Sequence, residues 1–272
     1  MLKLAVIGAG TLLGRELVDA LETRECSVLP LSHGPTTVEE ELGDVVIFAP
    51  SPALLEGIEL VILAETPATD EILAGFQGRV LDLRPNAEPS LDPMPVTGGW
   101  PKGKIALRNR PAVEQVLATL PRLVGGIGEV GGTHLRSVAF LGDQGLDGLL
   151  EQTIAILKGE EPDTAKLGYR AAFEVIPQIP RGRIIEVRVP AFHGDLLVLH
   201  LRAADGATLA KLEAPQGVTW AEHPASSREV SVTPELLAHL SLADEGRAGV
   251  LTLAFDPILW GTLMPVLRLL EL

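Results

Sequence analysis

The opening of the chain constrains the fold most, because an apolar run, a glycine-rich turn and an amphipathic segment follow one another there. Leu2–Ile7 is an apolar run of the kind that forms a strand buried on both faces. The turn reads Gly8-Ala9-Gly10-Thr11-Leu12-Leu13-Gly14, and Arg15–Thr23 then has helical spacing of its apolar residues. Such a strand, turn and helix are typical of phosphate-binding sites, because glycines admit the ligand and the helix N-terminus offers N–H groups. The opening predicts a nucleotide-binding α/β domain; the alternative is a plain tight turn.

The candidate cofactor contacts lie in this turn and at the end of the second strand. The turn would contribute backbone groups of Gly8, Gly10, Thr11, Leu12 and Leu13. The second strand ends in Pro30-Leu31-Ser32-His33-Gly34, which offers no carboxylate to hold a ribose diol, so NAD is disfavoured. Ser32 and His33 could weakly contact the 2′-phosphate of NADP, although an ordinary loop is the alternative.

Composition excludes several classes of protein. The chain has 272 residues, 46% of them hydrophobic and 21% charged, with a net charge of -14 and scattered Lys and Arg, which disfavours a nucleic-acid partner. No apolar run reaches the roughly 18 residues that cross a bilayer. The start lacks the apolar region of a signal peptide, and the single cysteine, Cys26, fits a reducing compartment. We therefore expect a cytoplasmic protein without membrane contact. No group of His, Cys, Asp or Glu has the spacing of metal ligands, so the sequence predicts no metal site.

The pattern of the chain predicts two domains. Strand candidates alternate with helical stretches such as Ala68–Gly75, which favours a parallel sheet. These candidates are Ser27–Leu31, Asp44–Phe48, Leu60–Leu63, Arg79–Leu83 and Lys104–Leu107. We expect residues 1–125, together with a helical segment over 256–272, to form the nucleotide-binding domain.

After Gly125 the sequence pattern changes, and this change predicts a second domain over residues 126–255. Residues 125–132 are rich in glycine, which indicates a hinge-like loop. Beyond it we predict a helix over Gly145–Leu157, between the first two of three strands. This order favours a mixed or antiparallel sheet that is faced by helices. The predicted strands are His134–Leu141, Arg183–Val189 and Asp195–Arg202.

Five segments together resemble the aspartate-semialdehyde dehydrogenase family, in the right order and over nearly the whole chain. They are the turn Gly8–Leu17, Leu146–Thr153, Ala172–Ile179 (Ala-Phe-Asn-Val-Ile-Pro-Gln-Ile in the family), Arg188–Asp195 (Arg-Val-Pro-Val-Phe-x-Gly-His) and Asp256–Gly261. The resemblance implies an α/β protein: a Rossmann-like dinucleotide-binding domain followed by an α+β substrate and dimerisation domain with a mixed sheet. It also implies a homodimer, NADP as cofactor and an aldehyde oxidoreductase of amino-acid biosynthesis.

The departures from the family fall on its chemistry. The family acylates a cysteine thiolate, and the position of that cysteine, within Lys104–Ala112, is Arg110. Arg188 keeps the arginine that would grip a substrate carboxylate, whereas the histidine position further along its motif is Asp195. His193 lies nearby, but strand alternation gives it the face of Asp195 only where no bulge intervenes.

Further positions of the family's site have also changed. The catalytic glutamine would lie near Leu141 in a shortened loop, where Gln144 is a possible substitute. A long segment that holds substrate and phosphate is reduced to Pro180-Arg181-Gly182. In the closing motif, Pro257, Leu259 and Trp260 replace polar residues that line the cofactor.

These departures favour a catalytically inactive homologue, resembling a shortened member of a cysteine-less branch and kept for binding or assembly. Its ligand would be a small molecule or a nucleotide. The main alternative is a working NADP-dependent semialdehyde dehydrogenase with a rearranged site, for which Cys26 is the one candidate thiol. A related acyl-phosphate reductase also needs a cysteine and fits the motifs less well. A purely structural partner subunit is the last possibility.

Overall fold

In a computed structural model of the chain, residues 1–32, 40–42, 45–64, 71–84, 87–178, 182–231 and 233–271 are described. The chain divides into two units, one of Met1–Arg110 with Thr262–Leu272 and the other of Pro111–Gly261. The first boundary lies at Arg110 rather than Gly125, because the helix that follows packs on the sheet of the second unit. No described helix is long and apolar enough to cross a membrane.

The first unit is built on a parallel sheet, as the alternating pattern predicts. Its strands are β1 (Leu2–Ile7), β2 (Cys26–Leu31), β3 (Glu40–Leu42), β4 (Val45–Ile47), β5 (Leu60–Leu63), β6 (Arg79–Asp82) and β7 (Ala106–Arg108), and helix α1 spans Leu12–Glu22. Five of them pair in the order β2-β1-β5-β6-β7, all parallel, while β3 and β4 form a separate antiparallel pair. Strand order reverses at β1, and the carboxyl edge beside such a reversal is where open α/β sheets bind ligands.

Burial explains why β1 and α1 form where they do. Leu4–Ile7 of β1 is completely buried, as a strand covered on both faces requires. Helix α1 begins after Thr11, whose hydroxyl accepts a hydrogen bond from the Gly14 amide, and buries an apolar stripe that includes Leu17, Val18 and Leu21.

The second unit contains a mixed seven-stranded sheet, which confirms the expected fold class. The strands of the second unit are β8 (Val124–Gly125), β9 (Ile127–Arg136), β10 (Ile176–Pro177), β11 (Ile184–Arg188), β12 (Asp195–Ala203), β13 (Ala210–Lys211), β14 (Val218–Trp220), β15 (Leu236–Ala243) and β16 (Ala248–Phe255). Of these, β8 and β13 form a separate antiparallel pair and the other seven form the sheet. The helices of this unit are α2 (Ala112–Leu123), α3 (Gly142–Leu157) and α4 (Ser227–Val230). The order is β10-β11-β9-β12-β16-β15-β14, with β9/β11 and β14/β15 parallel and the other neighbours antiparallel.

One face of this sheet and helix α2 form the main core of the second unit. Alternate residues of β12, from Leu197 to Leu201, are buried there, as are Leu251 and Leu253 of β16. From α2, Val116 and Leu120 pack into the same cluster. The period-two pattern of β12 thus places its apolar side chains on the α2 face and leaves His200 on the other.

Residues 125–132 are not the predicted loop, because most of them lie in β9. Glycine is used there for close backbone approach: a Cβ on Gly132 would lie 2.1 Å from the Val198 oxygen, and one on Gly128 would lie 2.7 Å from the Ala204 Cα. The predicted strand His134–Leu141 ends at Arg136 and continues as a 3-10 turn. These glycines are therefore explained by the close approach of a neighbouring strand and not by a hinge.

Two further expectations differ from the fold. Residues 71–75 of the predicted helix Ala68–Gly75 form turns, and residues 68–70 lie outside the described part of the chain. The predicted C-terminal helix begins at Leu259 rather than Asp256, as a π-helical turn over Leu259–Leu263 that continues directly into α5 (Met264–Leu269). The later start follows from Asp256, whose carboxylate accepts the amide hydrogens of Ile258 and Leu259 ahead of the first helical turn.

Candidate functional site

The glycine-rich turn follows β1 in the first unit, and packing alone accounts for two of its glycines. Gly8 has φ +94°, and a Cβ on it would lie 1.9 Å from the Ala64 carbonyl oxygen. A Cβ on Gly14 would lie 2.0 Å from the Gly8 oxygen. No other residue fits at either position without a shift of the backbone, whether or not a ligand binds.

Most amides of the turn donate hydrogen bonds within the protein. The N–H groups of Gly8 and Ala9 donate to the Leu31 oxygen at 3.0 and 2.9 Å, and that of Thr11 donates to the Gly8 oxygen at 3.0 Å. Among the described residues, no partner is found for the N–H groups of Gly10 and Leu13. These two amides are the donors that a phosphate could use.

Ser32, the candidate for contact with a 2′-phosphate, is only 1% exposed. Its N–H donates to the Phe48 oxygen at 2.8 Å, which joins it to the neighbouring chain segment. His33 lies outside the described residues. Leu12 is half-buried at the start of α1.

The side chains at the nucleophile position and at the lone cysteine both bind backbone groups of the first unit. Nε of Arg110 donates to the Met94 oxygen at 2.9 Å. The Cys26 thiol donates to the Leu21 oxygen at 3.1 Å, and burial raises the pKa of this thiol. A raised pKa leaves less thiolate near neutral pH, which makes Cys26 a poorer nucleophile than a free cysteine.

The second unit contains a cavity of about 720 Å³, large enough for a small organic molecule. The start of α2 forms one wall, and strands β9, β11 and β12 form another. The lining residues are Pro111, Ala112, Val113, Glu114, Leu117, His134, Arg136, Phe140, Gln178, Ile184, Glu186, Arg188, Asp195 and Pro257. Two of the residues singled out from the sequence, Arg188 and Asp195, therefore lie together in this cavity.

Strand register assembles the polar part of the cavity wall. In the parallel pair of β11 and β9, Glu186 lies opposite His134, and Arg188 lies opposite Arg136. Adjacent strands are about 4.8 Å apart and alternate residues share a face, so these four side chains form a compact polar patch. Asp195 extends the patch onto β12.

At the centre of the patch, Asp195 binds His134. Its Oδ2 lies 2.8 Å from Nε2 of His134, and its Oδ1 accepts hydrogen bonds from the Ser137 N–H (2.9 Å) and hydroxyl (2.7 Å). His134 is 3% exposed and Asp195 is 1% exposed, and the imidazole stacks on Phe255 with ring centroids 6.2 Å apart. Three hydrogen bonds compensate the burial of this carboxylate.

Two arginines lie close to an aromatic ring at the other end of the patch. The guanidinium carbon of Arg136 lies 3.7 Å from the centre of the Phe140 ring, and that of Arg188 lies 5.6 Å from it. Arg136 forms an ion pair with Glu186 at 3.0 Å, whereas Nε of Arg188 is 3.9 Å from the same carboxylate. That second distance is too long for a hydrogen bond, and Nε of Arg188 is buried without a hydrogen-bond partner.

Pro257, also singled out from the sequence, lines the cavity, whereas three other such residues do not. Nδ1 of His193 lies 3.3 Å from the Asp256 carboxylate, and His193 is not among the residues that line the cavity. The Gln144 side chain donates to the Lys166 oxygen and is not part of the cavity lining. Trp260 is 4% exposed in the core, where its indole N–H donates to the Gly217 oxygen at 2.8 Å.

Four residues of the cavity are not indicated by the sequence motifs: His134, Arg136, Phe140 and Glu186. The alternation of His134 and Arg136 within a predicted strand was a usable signal that both share one face. It could not indicate which strand lay alongside, because β9 pairs with segments about fifty residues further along the chain. Phe140 adjoins Leu141, near which the family's glutamine was expected, and its ring offers no hydrogen-bonding group.

Among the described residues, no group of three or more His, Cys, Asp or Glu could hold a metal ion. No family model and no curated protein sequence matches the chain.

Solved structures of aspartate-semialdehyde dehydrogenases, however, have the same fold. Enzyme II of Vibrio cholerae, complexed with ASA, is 16% identical, with 99% of this chain and 97% of that chain covered and a TM-score of 0.75. A probable enzyme from Pseudomonas aeruginosa is 18% identical, with 98% and 97% covered and a TM-score of 0.76. The Francisella tularensis enzyme is 13% identical, with 100% and 99% covered and a TM-score of 0.76. The resemblance seen in the motifs is thus confirmed at the level of the fold.

Proposed function

We propose that this chain is an aspartate-semialdehyde dehydrogenase homologue without dehydrogenase activity, in which the second unit still binds a small carboxylate. The supporting observation is the side chain at the nucleophile position. Arg110 has no polarisable nucleophile to offer near neutral pH, and its Nε is already hydrogen-bonded to the Met94 oxygen. An acyl-enzyme cannot form on it.

The group at the base position supports the same proposal. Both oxygens of Asp195 accept hydrogen bonds from His134 and Ser137, which leaves this carboxylate fixed as a structural acceptor. An arginine therefore replaces the nucleophile of the family, and a carboxylate whose two oxygens already accept hydrogen bonds replaces its base. Phe140 adds a third change, since its ring takes a place in the cavity without any group that could donate to an oxyanion.

Retention of ligand binding is supported by Arg188. Its Nε is buried without a hydrogen-bond partner, a state that costs free energy unless a ligand or water completes it. A guanidinium recognises a carboxylate with two parallel hydrogen bonds, and Tyr169, whose ring lies 4.7 Å away, supports the plane of this one. The cavity would therefore take a small carboxylic acid.

Weak dinucleotide binding by the first unit is a further part of the proposal. The Gly10 and Leu13 amides at the start of α1 suit one pyrophosphate group, so the residues present fit that part of NADP. The burial of Ser32 removes one contact expected for the 2′-phosphate. We expect a dissociation constant in the high micromolar range or weaker, because backbone amides alone supply few of the contacts.

We also propose a homodimer through the sheet face opposite α2. His200 and Arg202 on that face are exposed, and Val198 is half-buried. Charged residues are depleted at interface cores, so Arg202 and His200 would weaken an interface on this face, whereas Glu186 lies on the cavity face instead. Light scattering at micromolar concentration should give about twice the chain mass of 28.9 kDa; a monomeric mass would exclude the dimer.

The decisive experiment is an initial-rate assay of the purified chain with aspartate semialdehyde, inorganic phosphate and NADP. We expect no rate that scales with protein concentration. Arg110→Cys should not restore activity, because Asp195 and Phe140 remain unchanged. A rate proportional to wild-type protein would instead establish the alternative, a working NADP-dependent semialdehyde dehydrogenase with a rearranged site.

A further inference from the structure

We propose that His134 is a proton-transfer residue in the cavity of the second unit, acting on small 2-oxo acids. The reaction would be the reversible removal of a proton from the carbon next to the ketone. This inference rests on the proposed carboxylate binding and adds a reaction to it. Its basis is the arrangement of His134, Asp195 and Ser137 beside two arginines.

The hydrogen-bond network fixes which imidazole nitrogen carries the hydrogen. Ser137 donates both its N–H and its hydroxyl to Oδ1 of Asp195, so this carboxylate acts only as an acceptor. Its Oδ2 must then accept the Nε2–H of His134, at 2.8 Å. In the neutral imidazole Nδ1 then has the lone pair, and no described residue forms a hydrogen bond to it. A neutral imidazole of this tautomer can accept a proton.

His134 is also held rigidly. Ser137 is completely buried, His134 and Asp195 nearly so, and Phe255 stacks on the imidazole. The ring still contributes to the cavity lining. A base whose orientation is set by a carboxylate and by packing loses little entropy when it reacts, which is the arrangement that general-base catalysis requires.

The absence of a nucleophile in the lining decides the class of reaction. Among the described residues that line this cavity, none is Ser, Thr, Cys, Lys or Tyr. A base without a nucleophile suits proton transfer rather than acyl transfer. The structure thus combines a base with two guanidinium groups. One guanidinium can bind a carboxylate, and the other can stabilise the negative charge that forms when a C–H bond loses its proton.

The proposed step conserves atoms and electrons. Arg188 binds the carboxylate, and Nδ1 of His134 takes a proton from C3, so that a C–H bond breaks and an N–H bond forms. The electron pair of the C–H bond becomes the C=C bond of an enolate. Its oxygen is stabilised by Arg136, two residues along the same face of β9. Return of a solvent-exchanged proton regenerates the acid, without oxidant or reductant.

Exchange in D₂O tests the proposal directly. The full chain is incubated with pyruvate or 2-oxobutyrate, and loss of the C3 proton signal is followed by ¹H NMR against a protein-free blank. We expect catalysed exchange that falls at least ~100-fold in His134→Gln and Asp195→Asn. His193→Gln is the matched control, because His193 also pairs with a carboxylate but does not line the cavity. Wild-type exchange no faster than the blank, or unchanged in His134→Gln, would overturn the proposal.

A spectroscopic readout separates proton transfer from a structural role. Long-range ¹H–¹⁵N NMR of the wild type should show His134 with hydrogen on Nε2. In Asp195→Asn the amide oxygen must serve Ser137, so its NH₂ group would donate to Nε2 and move the ring hydrogen to Nδ1. A wild-type ring with hydrogen on Nδ1 would contradict the mechanism even where a variant fails to fold.

Calorimetry with the same acids distinguishes the two proposals. Binding to the wild type without exchange would refute proton transfer and leave the proposed carboxylate binding intact. Absence of any binding would refute both. Catalysed exchange in a sample that also oxidises aspartate semialdehyde would support His134 and refute the proposed loss of dehydrogenase activity.

Discussion

The turn after β1 and the cavity beside β9 differ in how far their polar groups are already satisfied. In the turn, the amides of Gly8, Ala9, Thr11 and Gly14 all have partners within the protein. In the cavity, a guanidinium nitrogen of Arg188 is buried without one. The turn leaves two amides, those of Gly10 and Leu13, without partners among the described residues, and folding explains the rest of the motif. A buried unsatisfied group in a cavity indicates a ligand more directly.

The largest expected effect on stability tests whether packing alone requires glycine at position 8 of the turn. Gly8→Ala should destabilise the chain by at least ~4 kcal/mol, because the new Cβ would overlap the Ala64 oxygen and φ is positive. Gly57→Ala is the matched control: its φ is +77° with open space around it, so about 1 kcal/mol is expected. Urea denaturation measures both. Equal losses would show that packing does not explain Gly8.

The next effect concerns the centre of the cavity. Asp195→Ala leaves the His134 imidazole and two Ser137 donors without an acceptor, which should cost about 3 kcal/mol. Asp195→Asn keeps an acceptor for Ser137 and should cost about half as much. The comparison is made by the same denaturation experiment. If the free energy of unfolding of the alanine variant falls by less than about 1 kcal/mol, the hydrogen bonds of Asp195 do not stabilise this wall of the cavity.

The turn and the cavity also differ in how much of each could be predicted from the sequence. The turn is local: strand, glycines and helix are contiguous, so their spacing sufficed to predict β1 and α1. The cavity brings His134, Glu186 and Asp195 together only through strand register, which no local pattern encodes. The family motif identified Arg188 and Asp195, but not the histidine that pairs with Asp195.

The glycines of β9 lie where a hinge-like loop is predicted, but the structure has a strand there. Gly128 and Gly132 reflect close backbone approach, in this case by β12. A hinge and a crowded strand both favour glycine, for opposite reasons. Only the position of the neighbouring strand separates them, and that position is a property of the tertiary fold.

A smaller effect separates binding from stability at Arg188. Arg188→Met should change the free energy of unfolding by less than about 1 kcal/mol, because the side chain is 29% exposed and its Nε already lacks a hydrogen-bond partner. Affinity for a small carboxylate should nevertheless fall about tenfold or more. Arg183→Met removes the same charge from a side chain that is 70% exposed and should leave affinity unchanged. Parallel losses in both variants would indicate a general charge effect.

The smallest effect concerns the first unit. Burial raises the pKa of the Cys26 thiol, so less thiolate is present at any pH below that pKa than in a free cysteine. Alkylation by iodoacetamide at pH 8 should therefore be several-fold slower than that of glutathione, and should recover in urea. A native thiol that reacts faster than glutathione would make Cys26 a nucleophile and reopen the dehydrogenase alternative.

The most direct test of the account is an NMR titration of the isotope-labelled chain with two ligands, malonate and NADP. We expect malonate to shift backbone signals around His134–Ser137 and Glu186–Arg188, while NADP shifts signals of residues 8–14 and does not saturate below about 0.1 mM. Tight NADP binding together with an undisturbed cavity would contradict the account, because the turn would then be the functional site and the cavity an incidental gap in packing.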